Sequence, residues 1–224
     1  MSLKHVVIIG AGAIGTYLVR ELHAMYPHVH LSCIERVEML EAARARLAPI
    51  AGAQVEVMPS LEALKDVPDL AVECGGHAAV SAHGEVCLAR GMDVLIASVG
   101  ALADQALFAR LQAAAQTHAQ KLLIPAGAVA GMDGLAAARL AGLTRVRYTS
   151  RKLPLAWKGT HAQTLIDLNA VSTPTEFMRC DAREAATRFP QNANVAATIA
   201  LAGVGFEATE VSRSEEHTSE LQSH

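Results

Sequence analysis

Aromatic residues are scarce in this 224-residue chain: one Trp, three Tyr and four Phe, 4% of the whole. So few π-faces exclude a surface that stacks successive bases, and a net charge of −3 leaves no basic excess to track a phosphate backbone. No apolar run reaches the length of a membrane span, so neither membrane nor nucleic acid is expected as a partner. Cysteine is sparse as well. Cys33, Cys74, Cys87 and Cys180 stand far apart with no C-x-x-C pair, which fits neither a zinc site nor a disulfide framework. Reduced thiols in a cytoplasmic protein are the expectation. His23, His28, His30 and His118 lack ligand spacing and read as surface residues, so no metal is expected.

What is present is alternation. The run at 4–9 carries four consecutive β-branched residues, Val6 to Ile9, as a buried parallel strand should, and ends at Gly10. Ile14, Leu18, Leu22 and Met25 then recur at helical spacing until Pro27. The same exchange of strand for helix continues. Strands are predicted at 29–34, 53–58, 69–75, 93–100 and 121–128, with helices at 37–48, 60–67, 77–91 and 103–120 between them. Strands alternating with helices of this length make a parallel sheet covered on both faces. After about residue 142 the texture changes to strands with more polar residues, at 146–160 and 175–181, and helices at 181–190 and 194–206. The expected fold is α/β. A Rossmann-type doubly wound parallel sheet (1–119) is followed by a smaller α+β substrate domain (120–212), incomplete at its C-terminus, and a non-native or disordered tail (213–224).

The stretch "VVIIGAGAIGTYLVREL" could be mistaken for a secretion signal, with Lys4 ahead of an apolar run, but no small-residue cleavage site follows. Its glycines instead have a G-x-G-x-x-G spacing between a strand and a helix. Gly10 permits the tight turn, Gly12 lets the backbone approach a pyrophosphate, and Gly15 lets helix and strand pack closely. The helix start at Ala13 and Ile14 supplies unpaired N–H groups to the phosphates. Glu35 stands twenty residues beyond Gly15, where such a fold sets a carboxylate on the ribose hydroxyls. The chain is read as binding a dinucleotide. Arg36 leaves NAD or NADP open: a carboxylate repels a 2′-phosphate, whereas a guanidinium pairs with one.

Four further stretches, "ECGGHAAV", "SVGALAD", "PAGAVAGMDGL" and "QNANVAAT", follow "GAGAIG" in order. Together they resemble the L-aspartate dehydrogenase family, a relative of the NAD-binding part of homoserine dehydrogenase. The likeness runs from about residue 4 to 211, and "RYTSRKLPLAWKGT" shares it. It implies NAD(P)-dependent oxidation of L-aspartate to iminoaspartate, which hydrolyses to oxaloacetate and ammonia or feeds NAD biosynthesis, in a homo-oligomer. The alternatives are a dehydrogenase of the same architecture acting on homoserine or a sugar-derived alcohol, and a cofactor-binding module without chemistry.

By position, the resemblance assigns cofactor contacts to Ala128 and Asn194. A helix N-cap is the competing reading of Asn194. Ala126 stands where the family more often has Ser. Arg151, Lys152 and Lys158, with Thr160, lie where the family binds a dicarboxylate, and a guanidinium beside an ammonium suits that substrate. A solvated strand edge is the competing reading. His77, after the strand at 69–75, is placed near the nicotinamide or the substrate, with a satisfied loop histidine as the competing reading. The family's catalytic histidine belongs to a later N-V-H type segment with no counterpart here, so the catalytic residue is unknown and the chain as given is expected to turn over poorly. The final "RSEEHTSELQSH" reads like an in-frame translation of a sequencing adapter, and neither His217 nor His224 is assigned a role.

Overall fold

The structure, a computed structural model, describes residues 3–51, 55–171 and 173–215. The chain divides into two compact units, Met1–Pro125 and Ala126–His224.

The first unit is built on six strands, β1 (His5–Ile9), β2 (His30–Ile34), β3 (Val55–Met58), β4 (Leu70–Glu73), β5 (Asp93–Ile96) and β6 (Leu122–Leu123). Their order is β3-β2-β1-β4-β5-β6, and every pairing is parallel. The helices α1 (Ala13–Met25), α2 (Leu40–Ala51), α3 (His77–Ala89) and α4 (Gln105–Thr117) connect them. Consecutive strands run outward from β1 in one direction and from β4 in the other, so the connection reverses between β1 and β4. That is the doubly wound order expected from the alternation, and it opens a crevice at the carboxyl ends of those two strands. β1 is buried at all five positions, which explains why its sequence is apolar without alternation. Val6, Ile8, Val19, Leu31, Cys33 and Leu47 meet in the core on one side of the sheet. The predicted helix at 60–67 is only a single turn at Leu61–Ala63, cut short before Pro68. Residues 53 and 54 of the predicted third strand lie outside the described residues.

β6 pairs with β5 at only two positions, yet it ties residues 122–123 to the first sheet. The expected boundary at 119/120 therefore falls before the last strand of the unit it was meant to close. The predicted strand at 121–128 ends at Leu123, and Ala126–Ala130 form a turn in which Ala126 accepts from the N–H of Val129 at 3.2 Å.

The second unit holds α5 (Met132–Leu140), β7 (Val146–Lys152), β8 (Thr175–Asp181), α6 (Ala182–Arg188), α7 (Ala193–Ala202) and β9 (Thr209–Glu215). Its sheet has the order β7-β9-β8, with β9 parallel to β7 and antiparallel to β8. Two elements were absent from the sequence reading. α5 lies in "MDGLAAARL", where Ala and Gly hide the apolar period. β9 takes up Arg213, Ser214 and Glu215, the start of the expected tail. This corrects the boundary at 212/213, since those three residues form the end of the central strand of the second sheet. The rest of the expected tail, 216–224, lies outside the described residues. Alanines at 182, 185, 186, 193, 196, 197 and 200 are all buried, which lets α6 and α7 approach closely. Trp157 and Phe189, 5.9 Å apart between ring centroids, fill the space beneath the sheet.

Candidate cofactor site

The crevice between β1 and β4 is a cavity of about 750 Å³. Gly10 and Gly12 form one wall, Cys74, Gly75 and Ala79 another, and Glu35, Arg36, Met39 and Arg46 the end beyond β2. Each glycine has its own reason. Gly10 has φ +99°, and a Cβ on it would lie 2.7 Å from Cα of Gly75, so the turns after β1 and β4 touch backbone to backbone. A Cβ on Gly15 would lie 1.9 Å from the carbonyl oxygen of Gly10, which fixes how closely α1 abuts β1. Gly12, the N-cap of α1, has φ −69°, and a Cβ there would meet nothing within 4 Å. No protein atom requires a glycine at 12; the space beside it belongs to the cavity. A group held close to the backbone at that helix start, as a pyrophosphate is, fits this arrangement. Ala13 and Ile14 follow in the first turn of α1, with Ile14 exposed.

Glu35 follows β2 with its side chain 15% exposed. Its Oε2 accepts from the N–H of Ala11 at 2.9 Å and its Oε1 from the N–H of Arg36 at 2.9 Å. The carboxylate thus faces the glycine turn and draws it toward β2. Arg36 is mostly exposed and pairs with Glu38 at 3.3 Å. Arg46, from α2, donates to the carbonyl of Ala11, which also accepts from Thr16 Oγ1 at 3.1 Å. Both ends of the Ala11 residue are therefore held by side chains. Nothing in the sequence singled out Arg46, one of two arginines two residues apart on a polar helix; only the packing of α2 against the turn reveals it.

Glu73 was also passed over, although an acid closing the apolar run "LAV" was a legible signal. It is 2% exposed at the end of β4 and accepts from Gly75, Gly76 and Ser98. His77 opens α3 and is half-buried; the cavity wall is formed by its neighbours Ala78 and Ala79 and, further along, His83.

The remaining predicted site residues lie in the second unit. Ala128 is exposed in the turn before α5, and Asn194 is exposed at the second position of α7. Asn192, not Asn194, is the N-cap of α7. The predicted basic cluster does not form as such. Arg151 and Lys152 are consecutive on β7 and point to opposite faces of the sheet. Arg151 lies in a surface groove with Arg147, Glu176 and Ser212. Lys152 turns inward, donates to Asn192 Oδ1, and rests over the Trp157 ring at 5.0 Å from its centroid. Burial, and then the charge of Arg213, hold the Lys152 ammonium below its ordinary pKa. β7 ends before Leu153 and Pro154, so Lys158 and Thr160 lie off the strand. Lys158 is exposed beside the 163–169 segment, and Thr160 donates to the carbonyl of Trp157 at 2.7 Å.

Among the described residues no group of three His, Cys, Asp or Glu is placed to hold a metal ion, and no helix is long and apolar enough to cross a membrane. All four cysteines are free.

Fold and cavity define the class: the first unit is the dinucleotide-binding domain of a dehydrogenase. Residues 10–125 match the homoserine dehydrogenase NAD binding domain, and residues 133–214 match the aspartate dehydrogenase C-terminal domain. L-aspartate dehydrogenase of Ralstonia nicotianae is 45% identical over 210 residues, spanning 93% of this chain and 78% of that protein. The enzyme of the same name from Serratia proteamaculans is 49% identical over 160 residues, 71% of this chain and 61% of that one. A crystal structure of aspartate dehydrogenase from Thermotoga maritima superposes with a TM-score of 0.74 at 24% identity, covering 96% of this chain and 80% of that one, a likeness of fold. The chain belongs to the L-aspartate dehydrogenase family.

Proposed function

We propose that this chain oxidises L-aspartate to iminoaspartate with NAD or NADP as acceptor, the imine hydrolysing to oxaloacetate and ammonia or feeding NAD biosynthesis. The observation that carries the cofactor half is the open space beside Gly12 at the start of α1. In this reading the N–H groups at Gly12, Ala13 and Ile14 hold the pyrophosphate, and Glu35 with Arg36 meets the adenosine ribose. Ala128 and Asn194 contact the nicotinamide half. The bound nicotinamide accepts the hydride that leaves Cα of aspartate.

Lys152 is the cation best suited to a substrate carboxylate. Its inward ammonium faces an amide oxygen and an aromatic ring. Arg151, on the other face, is left out of the proposed site, and Lys158 and Thr160 border it in sequence only. His77, at the carboxyl edge of the first sheet, is proposed on the substrate side. The reading places the protein in the cytoplasm, in keeping with four free thiols, as a homo-oligomer. The test is spectrophotometric: reduction of NAD⁺ and NADP⁺ at 340 nm with L-aspartate, homoserine or sugar alcohols supplied in parallel. Slow aspartate-dependent reduction is expected, in keeping with the unassigned catalytic residue. Turnover of an alcohol in preference to aspartate would overturn the reading.

A further inference from the structure

Glu73 is a charge-bearing residue sealed inside the first unit at the edge of the proposed cofactor site. Oε1 accepts from the N–H of Gly75 at 2.8 Å, the N–H of Gly76 at 2.8 Å and Oγ of Ser98 at 2.9 Å. Oε2 accepts from the N–H of Ser98 at 3.0 Å. All four donors are neutral, and all four bonds run toward the carboxylate, the pattern of an acceptor-only group. One side chain thereby joins the turn after β4 to the turn after β5. Gly75 in turn packs on Gly10, so the knot extends to the glycine turn.

The location gives the charge a use. Glu35 marks the adenosine side of the crevice at β2, and a dinucleotide lying across the carboxyl ends of the strands places its other half over β4 and β5. Cys74 and Gly75, the next two residues after Glu73, form the cavity wall there. Nicotinamide is a cation when oxidised and neutral when reduced. Fixed charge in a site shielded from water acts without reorganisation cost. We propose that Glu73 is a positioning residue for the turns after β4 and β5, and that its buried negative charge favours oxidised over reduced nicotinamide. The inference rests on the dehydrogenase reading in requiring that the cofactor bind.

Dissociation constants for NADH, by fluorescence titration, and for NAD⁺, by displacement, test it in the full chain. Glu73→Gln removes the charge at nearly constant volume. A unit charge acting over roughly 10 Å at an effective dielectric near 20 changes a binding constant by about tenfold. Glu73→Gln should therefore weaken NAD⁺ relative to NADH by about that factor. Ser98→Ala, which removes one hydrogen bond and keeps the charge, should leave the ratio within about twofold of the parent value. A folded Glu73→Gln protein with an unchanged ratio overturns the proposal, as does a Ser98→Ala ratio that shifts tenfold. If Glu73→Gln does not fold, Glu73→Asp decides: the charge is kept, so a tenfold change in ratio overturns the proposal and an unchanged one supports it. Failure of the parent chain to bind NADH at all would instead sink the dehydrogenase reading.

Discussion

At the scale of single residues, the three glycines of one motif do unlike things, and substitution separates them. Gly15→Ala places a methyl group 1.9 Å from the Gly10 carbonyl oxygen, so α1 must move away from β1. A loss of about 1–3 kcal/mol or more is expected in thermal or urea unfolding, the cost of forcing atoms into a packed interior. Gly12→Val meets no protein atom at its Cβ. Its stability should stay within about 1 kcal/mol of the parent, while NADH affinity falls at least about tenfold because the side chain fills the approach to the helix start. Unchanged NADH binding in a folded Gly12→Val protein would remove the basis for placing the pyrophosphate there. The motif's spacing was legible in the sequence, as was the carboxylate at Glu35. That Glu35 faces the Ala11 N–H, and that Arg46 completes the same clamp, was not, because both depend on where the turn after β2 brings α2.

At the scale of elements, strand periodicity decides what a run of basic residues can do. "SRK" ends β7, and successive side chains on a strand point to opposite faces. Arg151 and Lys152 therefore cannot grip one carboxylate together while the strand persists. Lys152→Ala should raise the KM for aspartate at least about tenfold with cofactor affinity little changed, and Arg151→Ala should leave that KM within about twofold. Steady-state kinetics with both variants checks this; the opposite ranking would assign the substrate to the outer face. The strand itself is legible in the sequence, but its end at Lys152 and the loss of Lys158 and Thr160 from it follow from Pro154, which opens a separate turn.

β9 teaches a related lesson. Its sequence "TEVSRSE" is polar, yet a central strand buries both faces: Thr209, Val211 and Arg213 on one are each at most 1% exposed, and Ser212 and Ser214 on the other at most 8%. Arg213 lies over Phe189 at 4.5 Å and Trp157 at 5.6 Å, while its Nε and Nη2 have no hydrogen-bond partner among the described residues. Burial pushes its guanidinium pKa down. Cation–π contact with two rings recovers part of the desolvation cost, about 0.5–2 kcal/mol each. Two unsatisfied buried donors cost about 1–3 kcal/mol apiece, and the charge itself several more. The cost outweighs the gain, so Arg213→Met, similar in length and apolar, should raise stability by about 1–3 kcal/mol in urea unfolding. A destabilised Arg213→Met protein would mean that the ring contacts dominate.

At the scale of the whole molecule, the alternation of strand and helix made the parallel sheet of the first unit legible, since four of its five crossovers carry an α-helix and only β3 to β4 makes do with a single turn. The second unit was less legible because its central strand comes last in the described chain and its helices are alanine-rich, with little contrast between faces. The four thiols offer a probe that reads both units at once. Burial pushes Cys33 and Cys87 up to about 12 and Cys74 and Cys180 up to about 11. The thiolate is the reactive species, so at pH 8 a thiol at about 11 has roughly a hundredfold less of it than one at about 9. Iodoacetamide should therefore label the native protein slowly. Cys74 and Cys180, both half-buried, should react first, and Cys33 and Cys87, both fully buried, only on unfolding. Cys74 lies in the cavity wall and Cys180 in the other unit, on β8. NADH should slow labelling of Cys74 severalfold and leave Cys180 unchanged, read out by peptide mass spectrometry. Equal protection of both would mean that the cofactor stabilises the entire fold against opening, whereas protection of neither would place the bound dinucleotide away from the end of β4.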